Sequence, residues 1–364
     1  MATKIWIGTD VDWATAGNWS PSGVPASTDN VYLENSSQSI TSGLNQSAVT
    51  LASLNIDQSF TGSLGNAAAG AMTINTSILN IGYHNGPGTP AGSPSINLDL
   101  GTTDASVITV SNTGTSADAS AAPVKLKAGS GGAITAFADG SGDVRVTSAA
   151  HGLADGDKVT ISNSALYNGT NLTVSGKTTN TFDVPGSYSS DDSDASTFWA
   201  LNNTLTVYKG KVEVGTDTAD TTSAFALITS SYDTKVNTDT DIFIGTLAVS
   251  VPTLNILGGD VYLDTGAATA NVKAGSLYTT GTGAITTLNV NGGTVTSNST
   301  GTITTLNVFD GSGTVDFTKS NATRVVTTAT LDPSGVLKFD DSVLTLTNNI
   351  KPYTAARNIT YTAS

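Results

Sequence analysis

The chain has 364 residues, a formal net charge of −14 at pH 7, only 12% charged residues and no cysteine. A nucleic-acid binder gathers Lys and Arg on one face to neutralise phosphate; this chain has neither between Lys4 and Lys125, which excludes DNA and RNA as expected partners. Without cysteine there is no disulfide framework, thiolate metal site or thiol nucleophile.

What replaces the missing charge is Gly, Ser, Thr and Asn. The acids are nearly all aspartate, with Glu34 and Glu213 the only glutamates. Aspartate, asparagine and serine favour caps and turns over helix interiors, and threonine and valine favour strands. No window shows a helical stripe, so the expectation is an all-β protein of short strands and many turns.

In chain order, the opening "MATKIWIGTDVDWATAGNW" lacks the apolar run of a secretion signal, and no stretch approaches the roughly 20 apolar residues of a membrane span. The expectation is a protein made in the cytoplasm and used without Sec-type export or a membrane. Next come Leu54-Asn55-Ile56 and Leu79-Asn80-Ile81, two copies of an aliphatic-Asn-aliphatic phrase.

From about Ala133 to about Trp199 the pattern changes. Val144–Thr147, Lys158–Ile161, Leu172–Val174 and Thr181–Val184 read as strands closed by Gly, Asp or Asn turns, part of a set of five or six. Tyr167, Phe182, Tyr188, Phe198 and Trp199 are the expected core of this segment. Lys125-Leu126-Lys127 before it and Leu205-Thr206-Val207 after it read as strands of the surrounding fold.

The phrase then returns periodically, as Leu254-Asn255-Ile256, Ala270-Asn271-Val272, Leu288-Asn289-Val290 and Leu306-Asn307-Val308, each followed by a glycine-containing turn and then by Asp260-Val261, Ser276-Leu277, Thr294-Val295 or Thr314-Val315. A weaker echo is Leu331-Asp332 with Gly335-Val336-Leu337. A unit of about 18 residues cannot bury an apolar face alone, but stacked copies can. The two aliphatics point inward and the asparagine between them outward, and glycine pairs such as Gly292-Gly293 supply positive φ at the corners. The expected fold is a right-handed parallel β-helix or β-solenoid of roughly 16 coils, about 75 Å long at about 4.8 Å per strand. It carries an inserted small antiparallel β-barrel or sandwich. The division is 1–132 for the cap and first part of the solenoid, 133–200 for the insert, and 201–364 for its continuation and tail. A β-sandwich array is the alternative.

Candidate chemistry is sparse. Glycosidases need two carboxyls facing each other across a sugar, and the possible pairs are Asp10/Asp12, Asp191/Asp192/Asp194, Asp239/Asp241 and Asp340/Asp341. Most lie in turn-like contexts where aspartate bonds its own backbone. No calcium-loop spacing is present, and His84 and His151 sit alone in turns. Asn18, Asn171 and Asn298 match the glycosylation pattern, which composition alone explains. Thr300-Gly301-Thr302 is one of several irregular Thr-x-Thr pairs; ice-binding solenoids need such a pair on every turn. Lys351 and Arg357 put positive charge at the C-terminal end and suit either solvent or a negative partner surface. No catalytic, cofactor-binding or metal-ligating residue is singled out.

Two stretches carry a resemblance. "HGLADGDKVTISN", "YNGT", "TTNTFDV" and the acidic run before Trp199 resemble a small β-module of tailed-phage structural proteins. "WATAGNWSPSGVPASTDNVYLE" is similar to the opening of β-helical surface and virion proteins. That likeness implies that the tryptophans close the first coil and that Asp29 to Leu33 begins the first ladder. It implies a non-enzymatic virion protein on the particle surface, a capsid decoration or head-fibre protein. Its expected partners are the phage major capsid protein or other virion proteins, with assembly as a homotrimer and no cofactor. A tail fibre or tailspike binding or degrading host-surface glycan, and a bacterial surface adhesin, are the alternatives.

Overall fold

The computed structural model describes residues 1–66, 69–82, 96–101, 106–111, 124–216, 223–231, 240–246, 248, 250–309, 313–339, 344–352 and 362–363. His84, Asp239, Asp340, Asp341 and Arg357 lie outside them. The protein is all-β, with a single 3-10 turn among the described residues, at Ala16–Asn18. No helix among the described residues is long and apolar enough to cross a membrane.

Two long sheets dominate, one of fifteen strands and one of twelve, and the chain visits them alternately. Val251–Ile256 lies in the first sheet and Asp260–Leu263 in the second. Ala267–Val272 then returns to the first and Ser276–Thr279 to the second, and so on to Thr314–Asp316. Within each sheet the neighbours are parallel, apart from Trp19–Ser20, which runs antiparallel to Thr3–Trp6 at one margin. The pleat explains the pattern, since every second residue faces the other sheet. Leu254, Ile256, Val261, Leu263, Leu288, Val290 and Val295 have no exposed surface, and aliphatics of both sheets form one continuous core.

The repeat sets the register. Leu254, Ala270, Leu288, Leu306 and Ala329 stand opposite one another in turn, as do Asn255, Asn271, Asn289, Asn307 and Thr330. The asparagines face outward and bond to each other: Asn271 Nδ2 donates to Asn255 Oδ1, Asn289 to Asn271 and Asn307 to Asn289, each at 2.9 Å. Asn80 donates to Asn55 in the same way. Asn289 makes two such bonds and Asn255 one. Asn289→Ala is therefore expected to cost about 1–2 kcal/mol and Asn255→Ala about half that, at roughly 1 kcal/mol per bond, as measured by denaturant unfolding.

Three expectations need correction. The echo at Leu331-Asp332 is offset: Leu331 pairs with Val308 and Ala329 with Leu306, so Ala329-Thr330-Leu331 is the true counterpart. The ladder begins at Thr3–Trp6, one strand before Asn30–Leu33. Fewer strands stack than 16 coils require, because connections between Leu54, Leu79 and Ile108 are longer than the 18-residue unit and Gly131–Leu201 leaves the long sheets altogether.

That excursion forms two small antiparallel sheets. Gly131–Ala133, Phe198–Leu201, Lys158–Ser162 and Gly169–Thr173 make one, and Ala136–Asp139, Val144–Thr147 and Thr181–Val184 the other. They enclose a separate core containing Phe137, Phe182 and Trp199, with Tyr167 partly buried against it. Tyr188, expected inside, is 37% exposed and stacks on Tyr167. Before and after the module, Val124–Lys127 belongs to the second long sheet and Thr204–Val207 to the first.

At the N-terminal margin Trp6, Trp13 and Trp19 are buried edge-to-face, with centroids 5.1 and 4.6 Å from Trp19. Two cations are buried on the inward face of the first sheet. Lys4 Nζ donates to the carbonyls of Pro21 and Ser22, and Arg324 donates to those of Ser297 and Ser320.

Candidate functional site

The aspartate groups are occupied by their own loops. Asp10 Oδ1 accepts from the Asp12 amide at 2.8 Å and from Asn18 Nδ2, and Asp12 Oδ1 accepts from the Ala14 amide at 2.9 Å. The Asp12 amide, with Asn18 second, holds Asp10 below the usual carboxylate range. Asn18 is fully buried; its Oδ1 accepts from the Thr9 and Asp10 amides, so it is no glycan acceptor.

In the module, Asp191 accepts from the Phe137 and Ser193 amides. Asp192 accepts from Ser164 Oγ and from the Ala165 and Leu166 amides. Asp194 accepts from Ser196 through both amide and hydroxyl. The three carboxylates thus pin a loop, each in a different direction, and do not converge on a substrate position.

The Phe137 amide lowers the pKa of Asp191 and the Ser196 hydroxyl that of Asp194. A depressed folded-state pKa gives stability that is present above the unfolded value near 4 and lost as pH falls through the lower folded value. Below about pH 4 the module is therefore expected to loosen. The double variant Asp191→Asn, Asp194→Asn should be less stable at neutral pH and lose less on acidification, as followed by denaturant midpoints at pH 7 and pH 3.

His151 is 4% exposed; its Nδ1 accepts the Leu153 amide, which leaves Nε2 to donate to the Thr181 carbonyl. Both nitrogens are committed to backbone, so the ring orders a turn. Asn171 lies at positive φ, and Thr300 sits at an exposed corner away from the sheet faces. Among the described residues no group of three His, Asp or Glu could hold a metal.

A cavity of about 700 Å³ separates the module from the edge of the first sheet. Its walls include Ala133, Ala165, Ala195, Ala267 and Ala284, and the one acid, Asp194, is already bonded. Ser164 and Thr197 at its rim donate to Asp192 and to the Asn163 carbonyl. Its other hydroxyls, Ser250, Thr286 and Thr304, have no histidine or second acid beside them in the lining, and no cation lines it.

The long sheets differ in their outward faces. The second carries Asp99, Lys125, Lys127, Lys211 and Glu213, paired as Lys127–Asp99 at 3.2 Å and Lys125–Glu213 at 3.7 Å. Beside them Phe243, Tyr262 and Tyr278 stack at 4.6 and 4.8 Å with Lys211 over the outermost ring. Each ring face meets its neighbour, so the stack stiffens the sheet and offers few free faces to a sugar. The first sheet instead shows two uncharged columns, the asparagine ladder and, beside it, Thr253, Thr269, Thr287, Thr305 and Thr328. The threonine column follows from the Thr that precedes Leu-Asn or Ala-Asn in the four copies between Thr253 and Val308.

Comparison with protein-family models, curated proteins and solved structures finds no match to this chain.

Proposed function

We propose that this chain is a non-enzymatic structural protein of a phage particle, a right-handed β-solenoid displayed on the virion surface as a capsid decoration or head-fibre protein. The observation that carries the non-enzymatic part is the engagement of Asp10, Asp12, Asp191, Asp192, Asp194 and His151 with their own loops. Alternation between two parallel sheets over one core supports the solenoid. The likeness of the module and the Trp-rich opening to phage proteins supports the virion. On this reading the protein is made in the host cytoplasm, binds the major capsid protein or a neighbouring virion protein, and assembles as a homotrimer.

Immunogold electron microscopy with antibody to this protein, on lysate of the source organism, tests the proposal. Label over particle heads is the expected result. Label at tail tips would replace it with a glycan-binding fibre, and label on cell envelopes without particles would replace it with an adhesin.

A further inference from the structure

We infer that the outward face of the first long sheet is the surface through which two copies of this chain associate. It does not rest on the homotrimer proposed above, whose three-fold contacts would join two different patches: a face that pairs with itself joins two copies, and it is tested independently of any particle.

The observation is an asymmetry of charge. From Asn30 to Thr330, across eleven consecutive strands, neither outward column of the first sheet holds a charged residue. The chain nevertheless carries 29 acidic and 15 basic residues. In-register stacking does not explain this, although it places like side chains about 4.8 Å apart and so penalises like charges. The second sheet stacks in the same way and accepts charge by alternating its sign, as in Lys125–Glu213 and Lys127–Asp99. The first sheet had the same option and does not use it.

Two further features point to a copy of the same chain. Copies with a net charge of −14 repel, so close approach requires a face free of charge. Asn and Thr side chains both donate and accept, so a face built from them is complementary to itself, as a two-fold interface requires. The face also has an apolar centre. Ile78 and Val107 are register neighbours on it, 44% and 55% exposed, and Leu227 lies two strands beyond Val107 in the same column. Aliphatics ringed by polar groups are the usual make-up of an interface core.

The area suffices. Eleven strands about 4.8 Å apart and four residues of about 3.3 Å each give roughly 600 Å² per copy. About 1,200 Å² in total reaches the range of specific interfaces.

The test is sedimentation of the full chain over a dilution series, with Val107→Asp and Thr287→Asp on the face and Thr294→Asp on the outward side of the second sheet as control. The wild type and control are expected to associate. The face variants are expected to dissociate with a midpoint raised by about 100-fold or more, since like charges opposed in an interface cost several kcal/mol. Far-ultraviolet circular dichroism and melting establish that the variants fold. Should one not fold, Thr287→Cys replaces it. The chain has no other thiol, so a short bis-maleimide gives a covalent dimer where the faces meet. A wild type that stays monomeric to about 100 µM, or face variants that associate as the wild type does, would each overturn the inference.

Discussion

Replacing Trp19 by alanine is expected to lower the unfolding free energy by about 3–5 kcal/mol, the range for a large aromatic removed from a closed core. The side chain is 1% exposed and touches Trp6 and Trp13 edge-to-face. Its Nε1 donates to the Trp13 carbonyl at 2.8 Å, so truncation also strands a buried acceptor. Its position adds to the effect. Trp19–Ser20 is the marginal strand of the first sheet, and Trp6, Val31 and Leu33 are buried in the two strands next to it. Opening that margin admits water to a core that runs without a break along both sheets. Trp199→Ala makes the contrast, because Trp199 belongs to the separate module core. It should destabilise the module and leave the long sheets intact. Denaturant unfolding followed by circular dichroism, with hydrogen exchange to locate the loss, distinguishes the two. A Trp19→Ala midpoint within about 1 kcal/mol of the wild type would contradict the capping role.

Gly275→Ala should cost about 2–4 kcal/mol for a single added methyl. Gly275 has φ +71°, a conformation that costs an L-residue about 1–2 kcal/mol. A Cβ there would also fall on the carbonyl oxygen of Gly259, in the corner of the preceding strand pair. That oxygen cannot yield, because it accepts the Ser276 amide at 2.8 Å. Overpacking against fixed backbone adds about 1–3 kcal/mol. Gly152→Ala is the control, since it has φ +70° but nothing within 4 Å of its Cβ, so only the backbone term remains. Thermal melting of the pair separates the two contributions. Equal losses would mean that corner stacking contributes nothing.

The repeat was legible in the sequence because it is nearly exact where it matters. Between Leu254 and Val308 the corners are short, so identical residues recur at almost constant spacing and fall opposite one another. The same ladder continues through Ile108, Leu205 and Ile228, but connections of varied length destroy the period there and hide the register. The module stood out in the sequence because its aromatics and tight turns differ from the Thr/Asn phrases around it. Arg324 gave no signal. It faces inward opposite Leu344, where burial lowers its pKa and its Nε lacks a partner; sequence parity alone does not reveal that a cation is buried in the core. The difference between the two outward faces was hidden for a similar reason. It shows only when outward residues are added up by sheet, and sheet membership alternates along the chain.

The chain leaves the stack after Lys127 and rejoins it at Thr204, which pairs with Val107 as though nothing intervened. Gly131 and Ala200 face each other across a strand pair, so the departing and returning strands run side by side. Closing a detour of this length in place of a 20-residue one costs only about 1–2 kcal/mol, because closure entropy grows with the logarithm of length. The stack is thus indifferent to what it carries at this point. Over evolutionary time the displayed domain can be exchanged, lengthened or lost by recombination while the scaffold beneath it is inherited unchanged.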